Sequence, residues 1–578
     1  MKKLFANLKS YKKEVILAPL FKMLEALFEL LVPIVVSQII DVGINGNGGS
    51  DYIIKMGVVL VFLAIVGLAF AVTAQYFAAK AAVGFAKKTR SCLFNKMQSL
   101  SFSEIDKLGT SSMITRMTND VNQIQNGVNM VLRLLLRSPI VVFGAIIMAF
   151  IVDAKSAITF VIEVPILALV VFAIIFATLP MHKSVQSKLE KVVTKTRENL
   201  TGVRVIRAFA LEEKENEDFT KEQEGLYKQQ KAVGIISGLL NPLTYVIVNL
   251  AIVALIYIGA IRVNQGNITQ GQVVALYNYM SQILIELVKL ANLIVNLTKS
   301  IASGKRVEEV LNMESSLIHK KSEGENESEY EIEFNNVDFK YQTASEESLQ
   351  NIDLKIKKGE TVGIIGGTGS GKTSLISLIP HFYDATKGEV LVEGKNVQEY
   401  DDEILRDKIG FVLQKSVLFK GTIKDNLKWG NENASEEDMI QALKTAQAYD
   451  VVLKKEKGLD SEVEQLGKNF SGGQKQRLAI ARALIKKPSI LILDDSSSAL
   501  DYATDAKLRK ELKKLNYNPT IIVVSQRTAS IQHADKIVVL DDGKIDGIGT
   551  HKQLLNTSKV YKEIYDSQFK EGGLKNDK

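Results

Sequence analysis

Hydrophobic and charged positions are segregated along this chain rather than mixed. Residues 56–79 and 232–261 contain no Asp, Glu, Lys or Arg, whereas the sequence from about residue 325 on is charged throughout. Apolar runs recur through the first 300 residues, at roughly 15–40, 53–79, 127–152, 157–181, 232–261 and 271–300. About 20 helical residues cross ~30 Å of hydrocarbon, so these runs predict six membrane-spanning helices. Residues 80–126 and 182–231 keep apolar positions at helical spacing but carry too much charge for lipid. No Gly/Pro/Ser linker marks their borders, which predicts that the membrane helices run on into water and turn back there.

The first run lacks an A-x-A-like end and continues into Asp41, so it reads as a span and not a cleaved leader. Lys2, Lys3, Lys9, Lys12 and Lys13 surround its start, while residues 42–53 hold no Lys or Arg. The positive-inside bias then predicts a cytoplasmic N-terminus, with 80–126, 182–231 and the charged C-terminal part on the same side. After the sixth run the polar stretch "MESSLIHKKSEGENESEYE" has the composition of a linker. From Tyr330 short β-rich runs alternate with helical stretches, the pattern of an α/β domain with a mostly parallel sheet. The expected organisation is an α-helical six-span membrane domain over 1–312, a linker over 313–329 and an α/β domain over 330–572.

Composition adds exclusions. Across the 578 residues, 46% hydrophobic and 24% charged look like a soluble average, but only because the two halves cancel. A net charge of +7 is small for this length, and no nucleic-acid partner is expected. The single cysteine, Cys92, excludes an intrachain disulfide and a Cys-based metal cluster.

The chemistry lies in the α/β part. "GGTGSGKT" fits G-x-x-x-x-G-K-[ST] and follows the apolar strand "ETVGII", the context that a phosphate-binding loop requires. Gly366, Gly367, Thr368, Gly369, Ser370 and Gly371 allow backbone N–H groups to approach phosphates. Lys372 would reach the outer phosphates, Thr373 would ligate magnesium, and the helix continuing through Ser374 aims its positive end at the anion. A second apolar strand ends in Asp494 and Asp495. A carboxylate at such a strand tip holds magnesium through water, which assigns Asp494 to the metal.

Between these strands lies "FSGGQKQR", and here the chain resembles an ATP-binding cassette (ABC) exporter half-transporter, six membrane helices followed by one cassette. The resemblance runs from about residue 10 to 570. It implies an ATP- and Mg²⁺-dependent translocase for amphipathic small molecules, of the multidrug type, in the cytoplasmic membrane. It also implies roles for single residues. Tyr341 in "VDFKY" would stack on adenine, and Gln414 in "FVLQ" would contact magnesium. Ser471, Gly472, Gly473 and Gln474 would clamp the γ-phosphate of ATP held by an opposite cassette. "SALD", with Ser498 and Asp501, would link the two ATP sites. Helices near 102–107 and 200–207 would press on the cassettes, the second on a partner's.

Two positions depart from that family. Asp495 stands where it places a glutamate base, and Gln526 where it places a switch histidine. The shorter side chain would set the carboxylate about 1–1.5 Å back from the attacking water, a displacement that can cost ~10²-fold in rate. An amide cannot supply the positive charge that helps the transferring phosphoryl group. Together these changes look like the degenerate half of a heterodimer, whose partner half-transporter would carry the Glu/His pair. A lipid or peptide exporter half, or a regulatory ATP-binding subunit, are the other readings.

Ionisable residues inside membrane helices are costly and face a bundle interior or a wet cavity. Lys22, Glu25 and Glu29 lie in the first span, Glu163 in the fourth, Glu286 and Lys289 in the sixth. Glu25 would lie about 16 Å along its helix from Glu14, near mid-membrane. Glu25, Glu29 and Glu286 are therefore substrate-cavity candidates that would attract cationic amphiphiles. In the alternative, Lys22 neutralises Glu25 and the set is structural.

Overall fold

The computed structural model describes residues 2–320, 328–342, 344–496 and 498–569. These form two compact units. One holds the chain up to Gln98 and Ser111–Met313, the other Ser99–Thr110 and the described residues from Glu314 on. Of the expected linker, 321–327 lies outside the described residues.

Among the described residues six helices are long and apolar enough to cross a membrane: Leu4–Ile44, Gly49–Gln98, Thr110–Val152, Ile158–Thr201, Glu212–Asn264 and Gln270–Asn312. At 41 to 53 residues they reach about 60–80 Å, more than twice a hydrocarbon core. They overrun their apolar runs as the helical spacing predicts; the second continues unbroken to Gln98 although its uncharged stretch ends at 79. Small residues bring the first two spans together. Ala18 and Ala26 of one and Ala74, Ala78 and Ala81 of the other are fully buried. A Cβ on Gly84 would stand 2.1 Å from the Tyr11 ring, so glycine there permits the close approach. The interior holds Phe160, Leu255, Leu276, Tyr279 and Ile283, while Val58, Phe62, Leu68, Leu169 and Val253 face outward. An outward apolar face suits lipid as solvent.

The second unit is built on β1 (Tyr330–Phe339), β2 (Leu349–Lys357), β3 (Thr361–Gly366), β4 (Lys387–Val392), β5 (Lys395–Asn396), β6 (Ile409–Val412), β7 (Gly421–Thr422), β8 (Glu462–Val463), β9 (Ile490–Asp494), β10 (Thr520–Val524), β11 (Lys536–Asp541) and β12 (Lys544–Gly549). The main sheet has the order β12-β11-β3-β10-β9-β6, parallel except for its β11–β12 edge. β9 and β10 are buried along their whole length, which is why they read as continuous apolar runs rather than alternating ones. A second, antiparallel sheet has the order β2-β1-β4-β5, an addition to the parallel sheet that the sequence pattern predicts.

The helix Phe102–Leu108 belongs to this unit. Its Phe102 ring lies 4.6 Å from that of Phe382 and 6.1 Å from that of Tyr383, and Asp106 accepts the Tyr383 hydroxyl at 2.7 Å. Residues 314–320 are tied down likewise. The Ile318 N–H donates to Asp384 at 2.7 Å and the Lys320 N–H to the Gln398 carbonyl at 2.8 Å.

Candidate functional site

Parallel strands β3, β10 and β9 end level, since Val524 pairs with Ile364 on one side and Asp494 on the other. In a parallel sheet the loops leaving these carboxyl ends form the binding crevice. Here they surround a cavity of about 330 Å³. Its lining includes Tyr341, Thr368, Gly369, Gly371, Lys372, Thr373, Ser374, Gln414, Asp494, Asp495 and Gln526. Gly366, Gly367 and Ser370 stand behind that lining around the Lys372 ammonium, which lies 2.9 Å from the Gly366 carbonyl and 3.2 Å from Ser370 Oγ. The loop curls this tightly because Gly369 and Gly371 take φ of +86° and +93°. A Cβ on Gly371 would also meet the Ser348 carbonyl at 2.6 Å.

The electrostatics suit a polyanion with a hard cation. Burial pulls the Lys372 ammonium down and pushes the Asp494 and Asp495 carboxyls up from their ordinary ranges; for Asp494 the neighbouring Asp495 charge adds to the rise. Thr373 Oγ1 lies 3.2 Å from both Asp494 oxygens, and Gln414 Nε2 donates to Asp495 at 3.4 Å. A hydroxyl, an amide, one buried carboxylate and one partly buried carboxylate form an all-oxygen donor set of the kind magnesium takes, so these residues fit that ion. The Tyr341 hydroxyl bonds Ser374 Oγ at 3.0 Å, and its ring is wedged edge-on against Phe339 and Tyr383.

The two departing positions are held by their backbone. Asp495 sits at φ +43°, its N–H on the Val524 carbonyl and its own carbonyl on Ser498 N–H and Oγ. Gln526 is exposed; its carbonyl accepts Gln568 Nε2 at 2.7 Å from the helix Lys559–Phe569. Sequence reasoning missed Gln568, and also Arg527. The Arg527 guanidinium donates to the Ser498 and Leu500 carbonyls at 3.3 and 3.1 Å and covers the Tyr502 ring. It ties the loop 498–501 to the position after β10. Asp501 itself caps the helix Tyr502–Leu512, accepting the Thr504 N–H and hydroxyl at 2.8 Å.

Ser471–Gln474 do not line this cavity. They open the helix Gly472–Ile485, where Ser471 and Gln474 form a reciprocal capping box. A Cβ on Gly472 would meet nothing within 4 Å, whereas one on Gly473 would stand 2.8 Å from the Ala499 carbonyl. Ser471 and Gly472 are exposed, presenting a helix N-terminus outward.

In the membrane helices the candidate carboxylates converge on a residue not singled out from the sequence, Arg137. Its guanidinium bonds Glu286, pairs with Glu29 at 2.6 Å and lies 3.7 Å from Glu25. Ser138 donates to Glu286 at 2.8 Å, Lys289 pairs with it at 2.8 Å, and Lys22 bonds Glu25. Glu25, Glu29 and Arg137 line a cavity of about 480 Å³, and Glu286 is buried beneath them. The signal was present: an arginine inside the apolar run 127–152 demands a partner. Glu163 differs, being 3% exposed with neither oxygen hydrogen-bonded, beside an apolar groove of about 280 Å³ between the fourth and fifth spans. Around the short helix Val203–Ala208, Leu200, Val205 and Phe209 stay exposed.

Comparison with known proteins agrees with this architecture. Residues 15–287 match the model of the ABC transporter transmembrane region and 349–498 that of the ABC transporter family. The chain is 37% identical to the uncharacterized ABC transporter ATP-binding protein YfiB of Bacillus subtilis (strain 168), over 98% of this chain and 99% of that protein. It is 32% identical, over 98% and 99%, to a protein of the same organism whose provisional name is multidrug export ATP-binding/permease protein YgaD. The solved structure of a bacterial Atm1-family ABC exporter with ATP bound shares the fold, with a TM-score of 0.80 at 22% identity over 96% of this chain and 98% of that one. The six spans, the phosphate loop and the signature helix are thus parts of one machine, and the chain belongs to the ABC transporter family as an exporter-type half-transporter, with its membrane region and its ATP-binding cassette in one polypeptide.

Proposed function

We propose that this chain is the slow-site half of a heterodimeric exporter that moves amphipathic small molecules outward across the cytoplasmic membrane, with its termini and cassette in the cytoplasm. The observation that carries the reading is the pair Asp495 and Gln526 in the cavity lining. Lys372 and the loop amides would hold the phosphates of ATP, and Tyr341 the adenine. Thr373, Gln414 and, through water, Asp494 would hold magnesium, which supplies charge neutralisation on the phosphates. Asp495 is short for a base at the attacking water and already accepts Gln414 Nε2. Gln526 can donate a hydrogen bond to a γ-phosphate but cannot bring charge. ATP would therefore be held here and turned over slowly.

The open face at Ser471 and Gly472 would close the partner's site, and the exposed residues around Val203–Ala208 would meet the partner's cassette. The substrate class rests on the provisional name of one relative and on a cavity that is apolar except for Glu25, Glu29 and Arg137. Steady-state ATPase of the purified chain, alone and with a co-purified second half-transporter, tests the proposal. Turnover by the chain alone should be a small fraction of that of the complex. Brisk turnover that Lys372→Ala abolishes would sink it.

A further inference from the structure

Within the cassette a buried imidazole faces two carboxylates, and a neutral ring cannot satisfy both. The His381 side chain has no solvent exposure. Its Nε2 lies 3.1 Å from Asp384 Oδ1 and its Nδ1 3.1 Å from Asp402 Oδ1. A neutral imidazole has one N–H to donate. With that hydrogen on Nε2 and given to Asp384, the Nδ1 lone pair points at a carboxylate oxygen, an arrangement that repels unless a cation lies between the two acceptors. His319 completes the group, its ring edge-on to that of His381 at 5.4 Å. The ligating atoms of His319, His381 and Asp402 all lie within 4.8 Å of one another.

We propose that His319, His381 and Asp402 form a binding site for a divalent transition cation of the zinc class, with His381 binding through Nδ1. Two imidazoles and one carboxylate are a donor set that zinc takes, a water filling the fourth position. The surrounding residues already hold the ligands as metal sites require. Asp384 fixes the His381 ring through Nε2, and its other oxygen accepts the N–H of Ile318, next to His319. Gln398 Nε2 also donates to Asp384, at 2.8 Å. Arg406 pairs with the far oxygen of Asp402 at 3.1 Å and donates to the Pro380 and His381 carbonyls, leaving Asp402 Oδ1 turned toward the imidazole. The bound cation would clamp residues 314–320 to the segment 381–384. That segment also places Phe382 and Tyr383 against the helix Phe102–Leu108.

The test uses the full chain, purified and freed of metal with a chelator. Titration with Co²⁺ is followed by visible absorption, and titration with Zn²⁺ by calorimetry. One equivalent should bind per chain, with the absorption of low-coordinate Co²⁺. His319→Gln, at an exposed position, should weaken Zn²⁺ binding by about 10-fold or more without changing ATP binding. This variant keeps the test decisive even where His381 substitutions fail to fold. No Co²⁺ spectrum, or Zn²⁺ binding unchanged by His319→Gln, would overturn the proposal.

Discussion

At the scale of single residues, the proposed slow site departs from the family's usual pattern by a methylene and a ring. Asp495 cannot be remedied by a small shift of backbone, because its N–H is bonded to Val524 and its carbonyl to Ser498. The missing reach must come from the side chain. Asp495→Glu with Gln526→His should therefore raise hydrolysis at this chain's own site by about 10-fold or more, given the ~10² cost of misplacing a base. The measurement is ATPase of the complex with the other site silenced; an unchanged rate would mean that these two residues do not set the turnover. The phosphate loop and Asp494 were legible in the sequence because phosphate chemistry fixes residue types at fixed spacings. Arg137 was not, because its partners come from two other helices, 108 and 149 residues away. Its removal should be costly. Arg137→Gln leaves Glu286, at 3% exposure, with Lys289 and Ser138 but without its guanidinium, and strips Glu29 of its cation, so the cost should approach the ~3–5 kcal/mol of breaking a buried pair without reaching its upper end. Thermal unfolding of the purified chain should show a large fall for Arg137→Gln and a smaller one for Glu29→Gln, whose side chain is 40% exposed.

At the scale of elements, one helix terminus separates a glycine that packing requires from one that packing does not. Both begin the helix Gly472–Ile485, and sequence alone treats them alike. Gly473 packs against the Ala499 carbonyl, so even alanine there disturbs the loop 498–501. Gly472 has open space around it. On the proposed cross-dimer role, Gly472→Glu should leave folding and this chain's own ATP binding intact while abolishing ATPase of the complex, because a negative charge would stand where the partner's γ-phosphate is proposed to lie. Surviving ATPase in that complex would mean that the signature does not act across the dimer. Helix lengths and strand types were readable at this scale, since periods of 3.6 and buried apolar runs are local properties. The antiparallel sheet was not, because its register joins strands some tens of residues apart and leaves no local period. That Phe102–Leu108 presses on the cassette was expected from the family resemblance alone; its partners Phe382 and Tyr383 were not, since Asp106 and Tyr383 are 277 residues apart.

At the scale of the whole molecule, the membrane helices carry their charge in two different ways, and this decides where a cationic substrate would be recognised. Around Arg137 the cations Lys22, Arg137 and Lys289 face the anions Glu25, Glu29 and Glu286, so the cluster is formally neutral. It offers a cation little net attraction, although Glu25 and Glu29 line a cavity. Glu163 sits alone, its oxygens unbonded and its groove otherwise lined by Thr159, Ile162, Ile166, Ile247, Leu250, Ala251 and Ala254. A lone carboxylate in such surroundings gains most from a bound cation, since the apolar walls exclude competing water. Glu163→Gln keeps the volume and the hydrogen-bonding capacity and removes only the ability to present a negative charge to an arriving cation. Transport of cationic dyes by the complex should fall by about 10-fold in apparent affinity, the size of one charge-assisted contact of ~1.5 kcal/mol, with neutral amphiphiles and basal ATPase unchanged. Glu25→Gln with Glu29→Gln should instead lower stability and affect every substrate alike, because Arg137 then keeps only Glu286. If the pattern is reversed, with cationic dyes lost selectively in the double variant and not in Glu163→Gln, the Arg137 cluster is the recognition site and Glu163 serves packing alone.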